Sequence, residues 1–439
     1  MYVLSDELLF RVEKNGGILI NKNNFSRLEL SESESIFLSL VKEMGKEKAF
    51  NEYIKYFNAD SLTKVLREKI YKKGEIEEKE VSSFSIINKI QSKIKELKKL
   101  NQMSFPLELV IYPSMYCNLH CGFCFLANRE DENVHLADDW KKILSQAKEN
   151  GILSFSILGG EPTKYKDIDN LLKIIDSLKV VTTITTNGQE IKKSTIDIIC
   201  QSDYITPVIS LESIDDFKNF ELMGTRAKRG IELIKLFHER KKKVRLNTVY
   251  SNQSEEDIME LLKFAIKNEI DRFSIADYSE VTGFTKITKI YNISDLRKLE
   301  EKVRRYLLDN KIDNFNFSVE GCFYFTAFPE LIEEGKNLSE FENMYFGCRA
   351  KHTKMEILSN GDVLPCIAFL GEKHTSNAFH QTLAEIWKND SNYTEVREFK
   401  TENKDCLKCS MLRICEGGCY PKLQRTLNPN FTKDKTCQL

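Results

Sequence analysis

From about residue 106 onward, short apolar runs alternate with amphipathic stretches of helical spacing. Six runs have the length and content of buried strands: LELVIYP, ILSFSILGG, VVTTITTNG, YITPVISLES, KVRLNTVYS and DRFSIADYS. Between them the spacing predicts helices over 136–149, 166–178, 226–243 and 254–268. This alternation indicates parallel β–α units in an open sheet or a barrel, and six units are fewer than the eight of a closed barrel. We therefore predict an α/β fold.

The first 80 residues have a different pattern. Two predicted strands, 7–13 and 17–22, are joined at Asn15-Gly16-Gly17, which is a hairpin signal. Ser31 is a candidate cap for the next helix, and two more helices are predicted over 48–57 and 61–74. Strands followed by three short helices are typical of a winged helix. Ile87, Ile90, Ile94 and Leu97 then have the spacing of a connecting helix, within a linker over 84–104.

Charge and hydropathy narrow the class of protein. The chain has 65 basic and 66 acidic residues, and 41% of it is hydrophobic, which is enough for a sizeable core. Residues 1–80 carry 14 basic and 15 acidic side chains, so this module lacks the basic surface that DNA binding usually requires. No apolar run is long enough to span a membrane, and Asp6 and Glu7 interrupt any signal peptide. We therefore expect a cytoplasmic protein that binds neither nucleic acid nor membrane.

Twelve cysteines are spread unevenly along the chain. None precedes Cys117, three lie within eight residues, and seven lie between Cys348 and Cys437. In a reducing cytosol such groups are more often metal ligands than disulfides.

The first group follows the first predicted strand, in MYCNLHCGFC, and consists of Cys117, Cys121 and Cys124. Three thiolates can bind three irons of a [4Fe–4S] cluster and leave the fourth iron open to a substrate or cofactor. A zinc site is the alternative, with His120 as its fourth ligand.

A second motif ends the next predicted strand, where Gly159, Gly160, Glu161 and Pro162 follow each other. The glycines allow the backbone to approach a ligand closely, and we expect the Glu161 carboxylate to face an ammonium group.

These two motifs resemble those of the radical S-adenosylmethionine (SAM) enzymes, with the aromatic Phe123 beside the last cysteine. The resemblance implies a partial (β/α)6 barrel in which the GGEP motif binds the methionine amino group. It further implies ribose or methionine contacts at Thr186-Asn187 and at Ser210–Glu212, and a carboxylate contact at Arg226. The activity it implies is reductive cleavage of SAM to a 5′-deoxyadenosyl radical, which removes a hydrogen atom from the substrate.

The seven C-terminal cysteines, together with Gly361, resemble the SPASM extension of this family, which holds two auxiliary [4Fe–4S] clusters. The family order assigns Cys348, Cys366 and Cys419 to the first cluster, and Cys406, Cys409, Cys415 and Cys437 to the second. Some members have another cysteine where this chain has Lys354. The first cluster therefore either has an open iron or uses Cys322. Cys200 lies in an apolar segment and is best interpreted as a small buried residue.

A proton must leave the substrate when a bond forms after hydrogen abstraction, and an oxidised auxiliary cluster can take the remaining electron. Glu320, Glu212 and Asp277 lie near predicted strand ends or the cluster region and are candidate bases, of which we select Glu320.

The first 83 residues resemble the leader-recognition element of enzymes that modify ribosomally made peptides, in which a leader peptide adds a strand to the sheet. The predicted domains are thus 1–83 (leader recognition), 84–104 (linker), 105–315 (partial barrel) and 316–439 (SPASM). The layout is most similar to the streptide-type cyclases, which join a lysine side chain to a tryptophan ring. The expected partners are a precursor peptide and an external one-electron donor. Alternatives are a thioether-forming maturase, a sulfatase-maturase-like oxidase of Cys or Ser, and an iron–sulfur DNA-binding sensor.

Overall fold

The computed structural model describes residues 1–23, 26–68, 70–76, 82–100, 102–126, 135–278, 291–324, 347–373, 375–434 and 437. The chain divides into two compact units, Met1–Pro106 and Leu107–Leu439. Strands and helices occur in both units, and the second contains a parallel sheet, which confirms the predicted α/β class. Among the described residues, no helix is both long and apolar enough to cross a membrane.

The first unit contains five strands and four helices. In chain order they are β1 (Tyr2–Leu4), β2 (Leu8–Glu13), β3 (Gly16–Asn21), β4 (Arg27–Leu30), α1 (Glu32–Met44), α2 (Lys46–Tyr53), α3 (Lys64–Glu68), β5 (Tyr71–Lys73) and α4 (Ser83–Leu97). Strands β2, β3 and β4 form an antiparallel sheet, and β1 pairs with β5. The pairing of β2 with β3 confirms the predicted hairpin.

Local sequence signals explain most of these elements. Ser31 caps α1, and its backbone N–H donates to Glu34, which completes a capping box. The predicted helix over 61–74 is wrong, because the helix ends at Glu68 and the chain then forms β5. Pairing of Tyr71 with Leu4 across the short sheet outweighs the helical spacing in this segment.

The core of the first unit explains the position of α4. Ile87, Ile90 and Ile94 of this helix are buried in the same cluster as Phe37 and Leu40 of α1. The helix predicted as a connector is therefore part of this unit's hydrophobic core.

The second unit is built on a nine-stranded sheet. Its strands are β6 (Glu108–Ile111), β7 (Ser154–Ile157), β8 (Val181–Thr186), β9 (Ile205–Ser210), β10 (Arg245–Tyr250), β11 (Arg272–Asp277), β12 (Phe317–Glu320), β13 (Lys354–Ile357) and β14 (Val363–Leu364). Their order is β12-β11-β10-β9-β8-β7-β6-β13-β14. Strands β6 to β11 correspond to the six predicted runs, and β12 adds a seventh parallel strand. Among the described residues β12 and β14 are the two ends of this sheet, so it is open.

Helices connect the parallel strands. They are α5 (Ala137–Glu149), α6 (Ile168–Leu178), α7 (Lys193–Gln201), α8 (Asp216–Met223), α9 (Ala227–Glu239), α10 (Glu255–Lys267) and α11 (Ile293–Asp309). The segment predicted as one helix over 226–243 ends earlier, at Glu239. Helices α7, α8 and α11 were not among the predicted helices.

The two faces of the sheet differ in burial. In β9 the residues Ile205 and Ile209 are fully buried, whereas the alternating residues Thr206, Val208 and Ser210 are partly exposed. Alternation of this kind separates a face packed under the helices from a second face, which we call the inner face.

The remaining elements belong to the cysteine-rich tail. They are α12 (Arg349–His352), α13 (Leu383–Asn389), α14 (Ser391–Glu398), α15 (Leu412–Cys415) and α16 (Tyr420–Gln424), with β13 and β14. Because β13 pairs in parallel with β6, the tail extends the same sheet.

Candidate active site

The first three cysteines lie on the loop that follows β6, at the carboxyl edge of the sheet. All three are partly exposed. The Cys121 thiol donates to the carbonyl of Met223 (3.6 Å), and the Gly122 N–H donates to the carbonyl of Leu222 (3.2 Å). The C-terminal end of α8 therefore supports the middle of the loop. Three thiols on one supported loop are a suitable ligand set for a cluster with one open iron.

The GGEP motif is packed directly against this cysteine loop. The N–H of Gly160 donates to the Ser114 carbonyl (3.1 Å), and that of Glu161 donates to the Tyr116 carbonyl (2.7 Å). A Cβ on Gly160 would lie 2.1 Å from the Tyr116 oxygen, and one on Gly159 would lie 2.3 Å from the Ser114 oxygen. The glycines therefore allow the motif to join the backbone that leads into Cys117.

The carboxylate of Glu161, which is expected to face an ammonium group, is held by hydrogen bonds within the protein. This side chain is buried, and its carboxylate accepts hydrogen bonds from the N–H and hydroxyl of Thr163, the hydroxyl of Thr186 (2.7 Å) and the N–H of Asn187 (2.8 Å). Burial raises its pKa, and these donors oppose that rise. Glu161 thus ties the loop after β7 to the end of β8.

Asn187 connects the end of β8 to the cysteine loop. Its amide donates to the side chain of Asn118 (2.9 Å) and lies 4.0 Å from the Cys117 sulfur. The strand end and the loop therefore converge as expected. Phe123 is partly buried between Gly122 and Cys124 in the same loop.

The other predicted SAM contacts occupy different environments. Ser210 ends β9 on the inner face, and Arg226 is exposed directly before α9. Glu212 is buried, and one of its oxygens accepts hydrogen bonds from Thr248 (2.6 Å), Val249 and Gln253. Burial raises the pKa of Glu212 to about 7. This carboxylate is held between strands, which suits a positioning residue better than a free base.

The tail contains two further groups of thiols. In the first, burial raises the pKa of Cys419 to about 12, and the charges of Cys348 and Cys322 add to this rise. Burial also raises the pKa of Cys366, with contributions from the charges of Cys419 and Cys348. These charge interactions link the three cysteines assigned to the first auxiliary cluster to one another and to Cys322.

The second group contains the remaining tail cysteines. Burial raises the pKa of Cys415 to about 12, and the charges of Cys437 and Cys406 add to it. Burial raises the pKa of Cys406, and the charge of Cys409 contributes. These charge interactions link the four cysteines that family order assigns to the second auxiliary cluster.

The arrangement of ligands favours clusters over single ions. Zinc requires its ligand atoms within about 2.3 Å of one point. No three His, Cys, Asp or Glu side chains of the described ranges are arranged to hold one metal ion, and His120 is exposed. A cube presents separate irons to its thiolates, so all-thiol sets of three and four fit [4Fe–4S] clusters better than zinc.

Buried charges hold the tail loops, and no sequence motif indicated them. Lys351 pairs with Glu416 (3.0 Å), which follows Cys415, and the carboxylate of Asp434 accepts from the N–H of Cys419 (2.7 Å). The sequence does contain one sign of a tight turn beside Glu416, the pair Gly417-Gly418. Both residues adopt positive φ, which glycine tolerates best.

Two carboxylates remain as candidate bases. Glu320 ends β12 and is exposed, and it shares a row with Ala276 of β11. Asp277 ends β11, and burial raises its pKa to about 6, while the charge of Lys422 opposes the rise. A Cβ on Gly321 would lie 3.1 Å from that of Asp277, so this carboxylate lies beside the segment that leads into Cys322.

Comparison with known proteins identifies both parts of the second unit. Residues 111–265 match the sequence model of the Radical SAM superfamily, and residues 348–410 match that of the SPASM iron–sulfur cluster-binding domain. The PqqA peptide cyclase of Bradyrhizobium diazoefficiens is 21% identical over 79% of this chain and 89% of its own length. The cysteine-type anaerobic sulfatase-maturating enzyme of Clostridium perfringens is 24% identical over 72% of this chain and 89% of its own.

A much closer relative covers the whole chain. The crystal structure of Streptococcus suis SuiB bound to the precursor peptide SuiA is 54% identical, with a TM-score of 0.95 over 100% of both chains. SuiB has also been solved bound to S-adenosylmethionine, at 53% identity and a TM-score of 0.93. The chain therefore belongs to the radical SAM superfamily, within the group that carries a SPASM domain, and its cofactors are S-adenosylmethionine and [4Fe–4S] clusters.

Proposed function

We propose that this protein is a peptide maturase that uses SAM to form a crosslink within a ribosomally made precursor. The similarity to SuiB supports this proposal. The two proteins are 54% identical over the full length of both chains, and SuiB was solved with a precursor peptide bound. Since neither chain has an unmatched part, the similarity includes the first unit as well as the sheet and the cysteine-rich tail.

We assign leader recognition to residues 1–83 and keep the predicted linker, 84–104, with that unit, because α4 packs into its core. Residues 105–315 are assigned to the partial barrel and 316–439 to the SPASM domain. The antiparallel sheet of the first unit supports the first assignment, because its outer strands, β2 and β4, each offer an edge to an extended peptide. The almost neutral charge of residues 1–80 also favours a peptide over DNA.

We assign Cys117, Cys121 and Cys124 as the residues that would hold the SAM-binding cluster, which would supply the electron for cleavage of the sulfonium. The two tail groups are assigned to the auxiliary clusters, and Cys322 is proposed as the fourth ligand of the first. The charge interaction between Cys322 and both Cys348 and Cys419 supports that choice. An external one-electron donor is required to begin each cycle.

The proposed product is a carbon–carbon bond between a lysine and a tryptophan of the peptide. Forming this bond removes one hydrogen atom, which leaves in 5′-deoxyadenosine, one proton, and one electron, which an oxidised auxiliary cluster would accept. Glu320 is proposed as the base because its carboxylate is exposed at the end of β12, and Asp277 on the neighbouring strand is the second candidate.

One other function is favoured by a specific observation. The sulfatase-maturating relative indicates oxidation of a Cys or Ser in a protein substrate as the alternative. Such an enzyme has no need of a leader sequence, so dependence on the leader separates the two functions.

The test uses SuiA as the probe with anaerobically reconstituted protein, SAM and a chemical reductant. We expect 5′-deoxyadenosine and a peptide that has lost two hydrogens, with the crosslink located by tandem mass spectrometry. A thiol-alkylating reagent identifies a thioether product, because that bond consumes a cysteine.

SuiA without its N-terminal part is the matched control. We expect kcat/KM for this shortened peptide to fall strongly, since the leader no longer contributes binding energy. Equal turnover of the two peptides favours the sulfatase-type alternative. Unmodified SuiA, despite formation of 5′-deoxyadenosine, contradicts the proposed substrate class.

A further inference from the structure

Two arginines occupy adjacent positions on neighbouring strands of the sheet. Arg245 begins β10 and Arg272 begins β11, and they are direct partners in the parallel register. The residues that follow them, Leu246 and Phe273, are fully buried. Because successive side chains of a strand point to opposite faces, the two arginines point to the inner face of the sheet. We call these two residues the arginine pair.

The arginine pair is poorly neutralised by its own surroundings. The side chain of Arg272 makes no hydrogen bond or ion pair with any residue in the described part of the chain. The Nε of Arg245 is buried without a hydrogen-bond partner, and the nearest carboxylate oxygen, on Asp271, is 3.9 Å away. That carboxylate is also 3.9 Å from the ammonium of Lys243. The inner face therefore has two adjacent guanidinium groups and one distant, shared carboxylate.

The pair lies one row away from the candidate SAM site. Ser210, at the end of β9, is level with Asn247 of β10, and Arg245 is level with Val208. One row of a strand corresponds to two residues, or about 6.6 Å. A group bound by the pair would therefore lie about 6.6 Å from the row of Ser210, toward the amino edge of the sheet.

Another charged group on this face is Glu320. It shares a row with Ala276, which is two rows along β11 from Arg272. Burial and the charge of Arg272 lower the pKa of Arg245, and the negative charge of Glu320 opposes this change. Glu320 lies near the carboxyl edge of the sheet, so the arginine end of the face remains positively charged.

From this arrangement we infer that the arginine pair binds a side-chain carboxylate, from Asp or Glu, in the segment of the peptide that is modified. This inference rests on the proposed function as a peptide maturase. A guanidinium presents planar donors that match a carboxylate in bidentate geometry, and two adjacent guanidiniums give the bound carboxylate a defined direction. The pair thus fixes the position of the peptide relative to SAM.

The test compares Arg272→Met, Arg272→Lys and Arg229→Met in the full-length, cluster-loaded enzyme with SuiA. Arg229 is the matched control, because its side chain is 72% exposed on α9. We expect Arg272→Met to raise KM for SuiA by about tenfold to a hundredfold, the effect of losing a charged hydrogen-bonded contact. Arg272→Lys should recover part of this loss, since it keeps the charge but not the planar fork.

Two readouts distinguish the sources of the carboxylate. SAM binding and peptide-independent formation of 5′-deoxyadenosine should be unchanged in Arg272→Met. If both fall, the pair binds the carboxylate of SAM and the inference is overturned. An unchanged KM for SuiA overturns it as well.

A second experiment does not depend on the folding of any variant. Each acidic residue of SuiA is replaced in turn by its amide and tested with the wild-type enzyme. We expect one replacement to raise KM as much as Arg272→Met does, with no further increase when the two changes are combined. If every amide peptide is converted as well as SuiA, the inference fails. If the wild-type protein leaves SuiA itself unmodified, the proposed function fails and the inference fails with it.

Discussion

The cysteine loop after β6 and the cysteine-rich tail both gather thiols, but different chemical groups hold them in place. Backbone hydrogen bonds from Gly160 and Glu161 fix the chain that leads into the loop, and a side chain on Gly160 would prevent them. In the tail, side-chain interactions hold the loops, and the ion pair between Lys351 and Glu416 is one of them. The loop therefore depends on the absence of side chains, and the tail depends on their charge.

The two regions also differ in the number of thiols that they provide. The loop has three, whereas each tail group has four when Cys322 is included with the first. An open iron is therefore expected in the loop alone. Changes in the loop should stop cleavage of SAM, and changes in the tail should affect only the later steps, in which the peptide is crosslinked.

The largest expected effect is that of Cys117→Ala, Cys121→Ala and Cys124→Ala. We expect each of these replacements to abolish formation of 5′-deoxyadenosine, because the SAM-binding cluster loses a ligand. The tail variant Cys409→Ala should still form 5′-deoxyadenosine but should yield no crosslinked peptide. Both products are measured by chromatography and mass spectrometry.

Iron content provides the control for these variants. Wild-type protein should contain about twelve irons per chain, and each variant should lose about four. Cleavage of SAM by the Cys117→Ala protein would contradict the assignment of the loop. A stable wild-type value near about four irons would contradict both auxiliary clusters.

The next effect in size is that of Gly160→Ala. The added Cβ would lie 2.1 Å from the carbonyl oxygen of Tyr116, so the motif must move away from the cysteine loop. A displacement of this kind should lower the rate of SAM cleavage by about a hundredfold. The matched control is Gly122→Ala, also in the loop, where an added Cβ meets no atom within 4 Å. Equal rates for the two variants would show that the close contact is unimportant.

A smaller effect is expected from Asp277→Asn, and only on the crosslinked product. Burial raises the pKa of Asp277 to about 6, so its carboxyl is neutral below that pH and accepts a proton only above it. If Asp277 is the base, crosslinking by the wild-type enzyme should increase between about pH 5 and 7. In that case the Asp277→Asn variant should be about tenfold slower at pH 7.5 and should lack this increase, because Glu320 can only partly replace Asp277 as the base.

Glu320→Gln is the matched comparison for the choice of base. If crosslinking by this variant is slower than by Asp277→Asn and still increases between about pH 5 and 7, then Glu320 is the main proton acceptor. Formation of 5′-deoxyadenosine should be unaffected in both variants. A fall in that readout would mean that the carboxylates position SAM instead.

Local patterns in the sequence predict part of this structure, and contacts between distant segments decide the rest. Strand–helix alternation is a local signal, so β6 to β11 follow from it, whereas the division of the tail cysteines into two groups rests on the resemblance to the SPASM extension. The environment of Glu161 depends on Thr186 and Asn187, which lie 25 and 26 residues further along the chain. Hydrophobic periodicity contains no information about such contacts.

The incorrect helix over 61–74 has a similar cause. Its residues have helical spacing, but Tyr71 pairs with Leu4 at the start of the chain. The arginine pair is a further example, because Arg245 and Arg272 become neighbours only through the register of β10 and β11. Pairing between distant segments decides each of these features.

The smallest effect on activity is expected from Lys351→Met, which tests whether side-chain charge holds the loops of the tail. The side chain of Lys351 is 5% exposed and its partner Glu416 is 33% exposed. Removing Lys351 leaves the Glu416 carboxylate with His352 alone, 3.5 Å away, and the partial exposure of Glu416 limits the cost to about 2 kcal/mol. The urea midpoint of the cluster-loaded protein should therefore fall, while formation of 5′-deoxyadenosine stays at the wild-type rate.

The control is Lys228→Met, which removes an exposed pair with Glu232 on α9. That pair is exposed to solvent, so its loss should change the midpoint very little. If the tail is held by buried charge, the two lysine variants must differ, and the difference must persist at high salt, which weakens exposed pairs far more than buried ones. Equal midpoints would mean that the clusters alone hold the tail loops, and the contrast with the backbone-bonded cysteine loop would then be lost.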